Sequence, residues 1–351
     1  NDEFQDRYFS GIKIDLSKVL FVFSYNDFNK LDPILADRIH RVKFHNIKKN
    51  EKKYIINNYL LPEFLNTVGL PKKSLLFDDT SLDYIIENYT SESGIRGLKQ
   101  KVFEIVRELN LRIITTNNTN DIKLPFTITI DTVENIFSNN PKMISKRISL
   151  VNHIGLVNGL YATASGEGGI TVIQAFKTYS DVKLNLIITG QQGDVMKESV
   201  SCAKTIAWNL LPKKIRKKIL DDLNVEAWGI HIHCPEAAVP KDGPSAGAAI
   251  TLAMISLFTG IPVKNDVALT GEIDLNGRVH VIGGLEYKIE GGKKAGIKTI
   301  CYPKNNCHDI ELIRKHNEEL FENIELIPVL NIWDVLDICL EKNELEFNRF
   351  N

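Results

Sequence analysis

A long apolar stretch, AGAAITLAMISLF, occupies residues 246–258. It is too long and too rich in alanine and leucine for a strand, so it predicts a buried helix that ends before Gly260. The octapeptide PKDGPSAG at residues 240–247 leads into it and predicts a tight turn that carries Ser245. At a helix N-terminus, unpaired N–H groups favour a developing negative charge. Ser245 is therefore either a nucleophile beside an oxyanion hole or an N-cap serine before a core helix.

The segment 267–284, VALTGEIDLNGRVHVIGG, predicts two strands joined by a type I′ turn at its Asn-Gly pair. A helix follows, on which Leu285, Lys288 and Ile289 share one face. Lys288 thus lies on the apolar side of an amphipathic helix. Its amine either reaches out to water or is desolvated with a lowered pKa. A neutral amine can take the proton of a serine hydroxyl, as in Ser-Lys catalysis.

These motifs together resemble the proteolytic domain of the Lon family of ATP-dependent Ser-Lys proteases. The resemblance includes PKDGPSAG, TGEI and IGGLEYK, and it extends to GDVMKES, HIHCPEAAVP and AGIKTICYPKNN. It implies that Ser245 is the nucleophile and Lys288 its general base. It also implies that Thr270 forms a hydrogen bond near the lysine. Asp242 would shape the site and would hold an inactive form when it turns towards the lysine.

Other residues are expected to support this dyad. The resemblance gives this role to Gly243, Ala246 and Glu272, and it implies that N–H groups around Ser245 hold the oxyanion. Two histidines on one face of the predicted strand WGIHIHC, His231 and His233, suggest a metal ligand pair. A third ligand at metal spacing is missing. We therefore expect the two histidines to line the serine's cleft, and we expect no metal site.

Residues 1–45 contain the apolar run VLFVFS, which predicts a buried parallel strand, and LDPILADRIHRVKF, which predicts a short helix and another strand. Asn26 follows the first strand and is either a ligand-binding residue or the start of a turn. The segment resembles the C-terminal part of the AAA+ α/β core. The resemblance implies that Asn26 is the sensor 1 residue and that Arg38 is an arginine finger acting on a neighbouring subunit. It therefore implies a homo-oligomer, a six-membered ring.

Residues 46–140 predict a set of helices, one of which has an apolar stripe of Leu98, Val102, Ile105 and Leu109. The segment resembles the AAA+ lid, and Arg96 matches its phosphate-contacting sensor 2 arginine. The alternative for Arg96 is a surface arginine at a helix start, where the dipole disfavours it. Residues 141–147 are the predicted linker, and residues 148–345 are the predicted α+β protease domain. The expected fold is a multidomain chain with α/β and α+β parts.

Composition adds few constraints. The 351 residues carry a net charge of -1, so no net field favours nucleic acid or an acidic membrane. Five irregularly spaced cysteines favour a reducing compartment, and no apolar run has the length of a membrane span. The resemblance implies a bacterial cytoplasm or a mitochondrial matrix. The chain begins with Asn1 in sequence typical of the middle of a domain, and we expect it to be a fragment.

Three further motifs are weaker evidence of function than those described above. Residues 201–204 match the SxxK of β-lactamases, but SDN and KTG do not occur, so we reject that reading. The glycines of residues 166–169 resemble a phosphate loop, but no Lys-Ser/Thr follows them. The basic run KKIRKK at residues 213–218 predicts a solvated helix or loop, with contact to nucleic acid as a minor option.

The expected function is ATP-dependent cleavage of unfolded or damaged proteins. The resemblance implies ATP with Mg²⁺ for the full-length protein, and no cofactor for the protease chemistry itself. Neither GxxxxGK[ST] nor an acidic Mg²⁺-binding strand occurs in the chain, so we expect the chain as given not to bind ATP competently alone. One alternative is a nonproteolytic AAA+ chaperone or DNA-associated ATPase with an inactive protease fold. Another is a peptidase that acts alone without ATP.

Overall fold

The computed structural model describes most of the chain. The described residues are 3–9, 11–25, 28, 31–42, 44, 46–90, 92, 94–115, 123–142, 147–163, 166–235, 242–341 and 345–349. They divide into two compact units, residues 1–45 and residues 46–351.

The described residues of the first unit contain little regular structure. The short strands β1 (Phe4–Gln5) and β2 (Lys13–Ile14) pair antiparallel, and a helical turn, α1 (Pro33–Ala36), is capped by the side chain of Asp32. The prediction of a buried parallel strand at VLFVFS is wrong, since residues 19–25 form no strand and Val22 is 85% exposed. The second strand, predicted after α1, is also absent from the described residues. Asn26 lies outside them.

The reason for this difference is that an apolar run forms a buried strand only when other elements pair with it and cover it. The described part of residues 1–45 offers only two-residue strands and one helical turn for that purpose. The pattern of VLFVFS is therefore compatible with a strand, but no strand among the described residues of this unit pairs with it.

Residues 46–142, here called the lid segment, form helices around one apolar cluster. The helices are α2 (Lys49–Ile55), α3 (Leu61–Thr67), α4 (Asp79–Tyr89), α5 (Arg96–Thr115) and α6 (Ile130–Ile136), and β3 (Leu75–Phe77) pairs in parallel with β4 (Phe126–Ile128). The predicted stripe on α5 is confirmed, because all four of its side chains are at most 1% exposed. A π-helical turn, Ile56–Leu60, joins α2 to α3 and lets the helix continue past Pro62.

The rest of the second unit is built on one seven-stranded mixed sheet. Its strands are β5 (Leu156–Ala162), β6 (Gly168–Tyr179), β7 (Leu186–Thr189), β8 (Trp228–His233), β9 (Val267–Leu269), β12 (Thr299–Pro303) and β13 (Glu325–Val329), in the order β13-β12-β9-β5-β6-β8-β7. A separate hairpin pairs β10 (Glu272–Ile273) with β11 (Val279–His280). The helices are α7 (Asp194–Leu210), α8 (Lys213–Val225), α9 (Gly247–Thr259), α10 (Leu285–Ala295), α11 (Cys307–His316) and α12 (Ile332–Cys339).

The two faces of the sheet are covered by different helices. Because side chains alternate along a strand, Leu269 faces one cluster with α7, α9 and α12, while Ala268 faces another with α10 and α11. The helix that follows Ser245 and the helix that carries Lys288 therefore belong to opposite layers. Residues from these layers can meet only beyond the end of a strand.

The turn between β10 and β11 differs from the prediction. A type I′ turn needs positive φ at both central residues. Only Gly277 has it, with φ +78°, while Asn276 does not. The Asp274 carboxylate accepts hydrogen bonds from the backbone N–H groups of Asn276 and Arg278, both at 2.9 Å. This side chain shapes the turn in place of a left-handed asparagine.

Glycines let α10 lie directly against the start of β6. A Cβ added at Gly291 would be 2.2 Å from the carbonyl carbon of Gly168 and from the nitrogen of Gly169. A Cβ added at Gly168 would be 1.7 Å from the carbonyl oxygen of Tyr287. The glycine pair at 291–292, which is unusual inside a helix, thus permits a backbone-to-backbone contact that determines how deeply α10 lies on the sheet.

We predict that Gly291→Ala destabilises the protein by about 2 kcal/mol or more, because the added methyl overlaps backbone that cannot move aside. Helix propensity alone would give the opposite sign, a gain of about 1 kcal/mol. Urea unfolding measures the difference. Gly283→Ala is the control, because it adds a methyl in open space, and we expect it to change stability by less than about 1 kcal/mol. Equal stabilities of the two variants would contradict the proposed contact.

Candidate active site

Ser245 lies in a 3₁₀ turn, Pro244–Ala246, that runs directly into α9, as predicted. The turn is entered through Gly243, whose φ of +137° and ψ of 151° are suited only to glycine. Ser245 is half-buried, whereas most of α9 is fully buried. The sequence therefore places Ser245 at the positive end of a core helix.

Lys288 lies on the buried face of α10, beside Leu285 and Ile289, as the helical spacing predicts. Only 4% of its surface is exposed. Burial lowers the pKa of the Lys288 amine from its ordinary value of 10.5 to about 8, because a desolvated ammonium is disfavoured. The amine therefore does not reach out to water, and a substantial fraction of it is neutral near physiological pH.

Thr270 joins the lysine to the serine turn. It follows β9 and is fully buried. Its Oγ1 accepts a hydrogen bond from Lys288 Nζ at 3.0 Å and donates one to the carbonyl oxygen of Ser245 at 3.4 Å. The end of β9 is thus the place where the α9 layer and the α10 layer meet, and one hydroxyl contacts both candidate residues.

Gly271, which the sequence analysis did not single out, holds the serine turn from the other side. Its N–H donates to the Ser245 carbonyl at 2.7 Å, and its own carbonyl accepts from Ala248 N at 3.0 Å. A Cβ at Gly271 would be 2.3 Å from Val279 Cγ1. The signal available in the sequence was a glycine inside the first strand predicted for residues 267–284, since glycine within a strand marks a close backbone approach.

Asp242 is directed at α7. Its Oδ1 accepts hydrogen bonds from Met196 N at 3.1 Å and from Gly243 N at 3.0 Å. Gly193, at the N-cap of α7, leaves room for this carboxylate, since a Cβ there would be 2.4 Å from the Asp242 carboxyl carbon. In this conformation Asp242 caps a helix, and its inhibitory contact with the lysine remains a prediction.

The two histidines share one partner. Thr189 Oγ1, at the end of β7, lies 2.8 Å from His231 Nε2 and 2.7 Å from His233 Nδ1. Across the described residues, no group of three His, Cys, Asp or Glu side chains could hold a metal ion. Thr189 was missed by sequence reasoning, because it belongs to a different strand from the histidines. Their position in the serine's cleft remains a prediction.

The other predicted site residues are distributed as follows. Glu272 is exposed on β10, Ala246 is half-buried at the N-cap of α9, Arg38 is exposed after α1, and Arg96 is exposed as the first residue of α5. The structure thus brings together Ser245, Thr270 and Lys288. The basic run at residues 213–218 begins the solvated helix α8, as predicted. No described helix is long and apolar enough to cross a membrane.

Such an arrangement can perform acyl transfer chemistry. A lysine with a pKa of about 8 can accept a proton near neutral pH, and a serine at a helix N-terminus lies next to backbone dipoles that stabilise an oxyanion. Two known family profiles also match the chain. The family profile of the Lon protease (S16) C-terminal proteolytic domain matches residues 127–342, and that of the Lon protease AAA+ ATPase lid domain matches residues 66–122.

The chain belongs to the Lon protease family. The matched family is one of serine peptidases with an AAA+ lid. A "Lon protease homolog" of Acanthamoeba polyphaga mimivirus is 36% identical over 410 residues, covering 100% of this chain and 40% of the relative. The "Lon protease" of Campylobacter jejuni is 38% identical over 348 residues, covering 97% of this chain and 42% of the relative.

The match extends to another bacterial group. The "Lon protease" of Clostridium beijerinckii is 36% identical over 352 residues, covering 99% of this chain and 42% of the relative. The chain therefore spans about two fifths of the length of these relatives. It corresponds to their lid and proteolytic regions, together with the sequence of residues 1–65.

We predict that Lys288→Met stabilises the folded protein by about 3 kcal/mol well below pH 8, because it removes a charge that burial disfavours. The folded pKa of about 8 lies below the ordinary value of 10.5. The unfolded chain therefore binds more protons between these pH values, and the stability of the parent protein rises with pH across that window. The advantage of the variant should accordingly vanish near pH 10.5.

Urea unfolding at pH 7 and at pH 10 measures this difference. Lys298→Met is the control, because the Lys298 side chain is 75% exposed and should change stability by less than about 0.5 kcal/mol at either pH. An advantage of Lys288→Met that stays constant with pH would show that the amine is not desolvated.

Proposed function

We propose that this chain carries a serine endopeptidase in which Ser245 is the nucleophile and Lys288 is its general base. The observation that supports this most is the buried Lys288 amine, which is hydrogen-bonded to Thr270 while Thr270 also contacts the serine turn. Desolvation gives this amine a pKa at which it can act as a base. Membership of the Lon protease family supports the same assignment.

In the proposed mechanism the neutral Lys288 amine takes the proton of the Ser245 hydroxyl as the serine oxygen attacks the carbonyl carbon of the peptide. N–H groups around Ser245 and the positive end of α9 stabilise the tetrahedral oxyanion. The resulting ammonium gives its proton to the leaving amine, and an acyl ester remains on Ser245. Lys288 then deprotonates a water molecule, which hydrolyses the ester and frees the serine.

In this proposal Thr270 and Asp242 position other groups and do not themselves react with the substrate. Thr270 orients the amine by accepting one of its hydrogens, which leaves the nitrogen directed at the serine turn. Asp242 holds the backbone that leads into the Ser245 turn, because its carboxylate accepts a hydrogen bond from Met196 N and so caps α7. A conformation in which Asp242 contacts Lys288 would keep the amine charged and would be inactive.

In the full-length protein we propose that cleavage depends on ATP and that a homo-oligomeric ring delivers unfolded or damaged proteins. Arg96 would contact a nucleotide phosphate and Arg38 would act on a neighbouring subunit. Each step of the chemistry proposed above uses residues of the protease domain alone.

Covalent labelling tests the nucleophile. We expect a serine-reactive phosphonate to add once to the parent protein and not at all to Ser245→Ala, as measured by intact mass and peptide mapping. Ser201→Ala is the matched control, because Ser201 is the exposed serine of the SxxK motif on α7, and it should label like the parent. Labelling that persists in a folded Ser245→Ala variant would defeat the assignment. An unreactive parent protein would favour the nonproteolytic alternative.

The pH dependence of labelling tests the base. Because only the neutral amine can accept a proton, the rate of labelling should rise about tenfold per pH unit below pH 8. It should level off above that value, because the amine is then neutral. Lys288→Met should lower the plateau rate by at least about 100-fold. A rate that is independent of pH between 6 and 9 would show that Lys288 is not the base.

A further inference from the structure

Two cysteines of the protease domain touch each other in its core, and the chemistry above uses neither of them. Cys301 lies on β12, and Cys339 is the last residue of α12. Both side chains are fully buried, and their Sγ atoms are 3.8 Å apart although the residues are 38 positions apart in the sequence. The two sulfurs of a disulfide are about 2.0 Å apart, so a bond here needs them to approach by roughly 1.8 Å.

The contact between the two sulfurs, rather than their burial, is the informative feature. A single buried thiol packs like a small apolar side chain and is ordinary in a core. Here the backbone of each cysteine is also fixed, since the Cys339 carbonyl accepts a hydrogen bond from Lys264 N at 2.9 Å. The Cys301 carbonyl accepts one from Thr270 N at 3.2 Å. The two thiols are therefore held side by side in the folded domain.

The pair joins the end of the protease domain to the inside of its sheet. β13 is an edge strand that pairs with β12, and α12 is the final helix among the residues that the structure describes. Elements at an edge and near a chain end open more readily than the core. Cys301 belongs to the next strand inward and also supports Thr270. A bond between Cys339 and Cys301 would therefore tie the element most able to open to one that supports the candidate site.

We propose that Cys301 and Cys339 form an oxidation site, at which an internal disulfide attaches the β13–α12 end of the protease domain to the sheet. This bond involves neither Ser245 nor Lys288, so it goes beyond the proposed function. Under reducing conditions the pair stays as two thiols, and a small neutral oxidant such as hydrogen peroxide converts it.

Hydrogen peroxide supplies both oxidising equivalents of this step. One thiol loses its proton, its sulfur attacks a peroxide oxygen, and the O–O bond breaks to give a sulfenic acid and one water. The sulfur of the second thiol then attacks the sulfenic sulfur, and the S–O bond breaks. The leaving hydroxide takes the proton of the second thiol as another water. Two thiols and one hydrogen peroxide thus give one disulfide and two waters.

The surroundings make this oxidation slow and its product durable. Contact with Cys301 and burial raise the pKa of the Cys339 thiol well above its ordinary value. Little of the reactive thiolate is present at neutral pH, so the pair reacts only during sustained exposure to the oxidant. The same burial keeps bulky thiol reductants away from the finished bond.

Peptide mapping of the oxidised protein tests whether the bond forms. The folded whole chain is treated with hydrogen peroxide, alkylated in denaturant and digested with trypsin without a reductant. The tryptic peptides 299–304 and 316–342 each contain one cysteine of the pair and no other cysteine. We expect them to be recovered linked, with a mass two hydrogens below the sum of the separate peptides.

Variants at single cysteines identify the source of the link. Cys301→Ala and Cys339→Ala should each abolish the linked peptide. Cys202→Ala should retain it, because Cys202 lies on α7 and is only half-buried. If the folded parent protein is oxidised at other cysteines while these two peptides stay separate, the thiols only pack together and the proposal is wrong.

A comparison of the reduced and oxidised parent protein tests what the bond does, and it needs no variant to fold. In the oxidised form the amides of β13 and α12 should exchange hydrogen at least about three times more slowly, and those of α5 in the lid segment should be unchanged. The urea midpoint of the protease domain should rise by about 1 M, because the bond closes a long loop of the unfolded chain.

Peroxide-treated Cys339→Ala is the control for oxidation of methionine, and it should show neither change. Dithiothreitol added in denaturant, followed by refolding, should return the parent protein to its original midpoint. A linked pair that leaves both the exchange of β13 and α12 and the urea midpoint unchanged would show that the bond does not hold this end of the domain, and would overturn the proposal.

Discussion

The desolvation of one lysine amine is the constraint on which the site depends. Lys288 is 4% exposed, and its nearest polar contact is a neutral hydroxyl, Thr270, rather than a carboxylate. A carboxylate at that position would stabilise the ammonium and raise its pKa, whereas a hydroxyl leaves the lowering of the pKa by burial in place. The closely packed surroundings of α10, including its glycine contact with β6, keep water away from this group.

The geometry of the sheet explains where the two candidate residues meet. Since α9 and α10 cover opposite faces, the sheet separates them along most of its length. The short strand β9 ends at Leu269, and Thr270 and Gly271 continue from it into the space between the layers. Both residues donate hydrogen bonds to the carbonyl of Ser245, and Thr270 also accepts one from Lys288. The position of the site follows from the length of one three-residue strand.

Much of this arrangement could be predicted from local sequence pattern. Helical spacing placed Lys288 on a buried face, and the run after Ser245 identified a core helix, because both signals depend on the segment alone. The partners of these segments could not be predicted in the same way. Thr189 lies 42 positions from His231 and 44 from His233, and Asp242 caps a helix that begins 48 positions before it. Such contacts are set by tertiary packing.

The wrong predictions have the same origin. VLFVFS has the composition of a buried strand, yet burial requires neighbours that the segment cannot specify. The turn after β10 contains Asn-Gly, but the Asp274 side chain supplies a competing set of hydrogen bonds. In both places a local preference was real, and a second interaction decided the outcome.

The cap on α7 has a consequence for how the approach to Ser245 can rearrange. A single carboxylate cannot occupy two places, so each conformation that draws Asp242 elsewhere leaves the Met196 N–H without its acceptor. Losing a cap of this kind costs about 1 kcal/mol, which corresponds to a population ratio of roughly five to one. The position of the Asp242 carboxylate is therefore set by a small energy gap, one that a bound peptide could readily outweigh or reinforce.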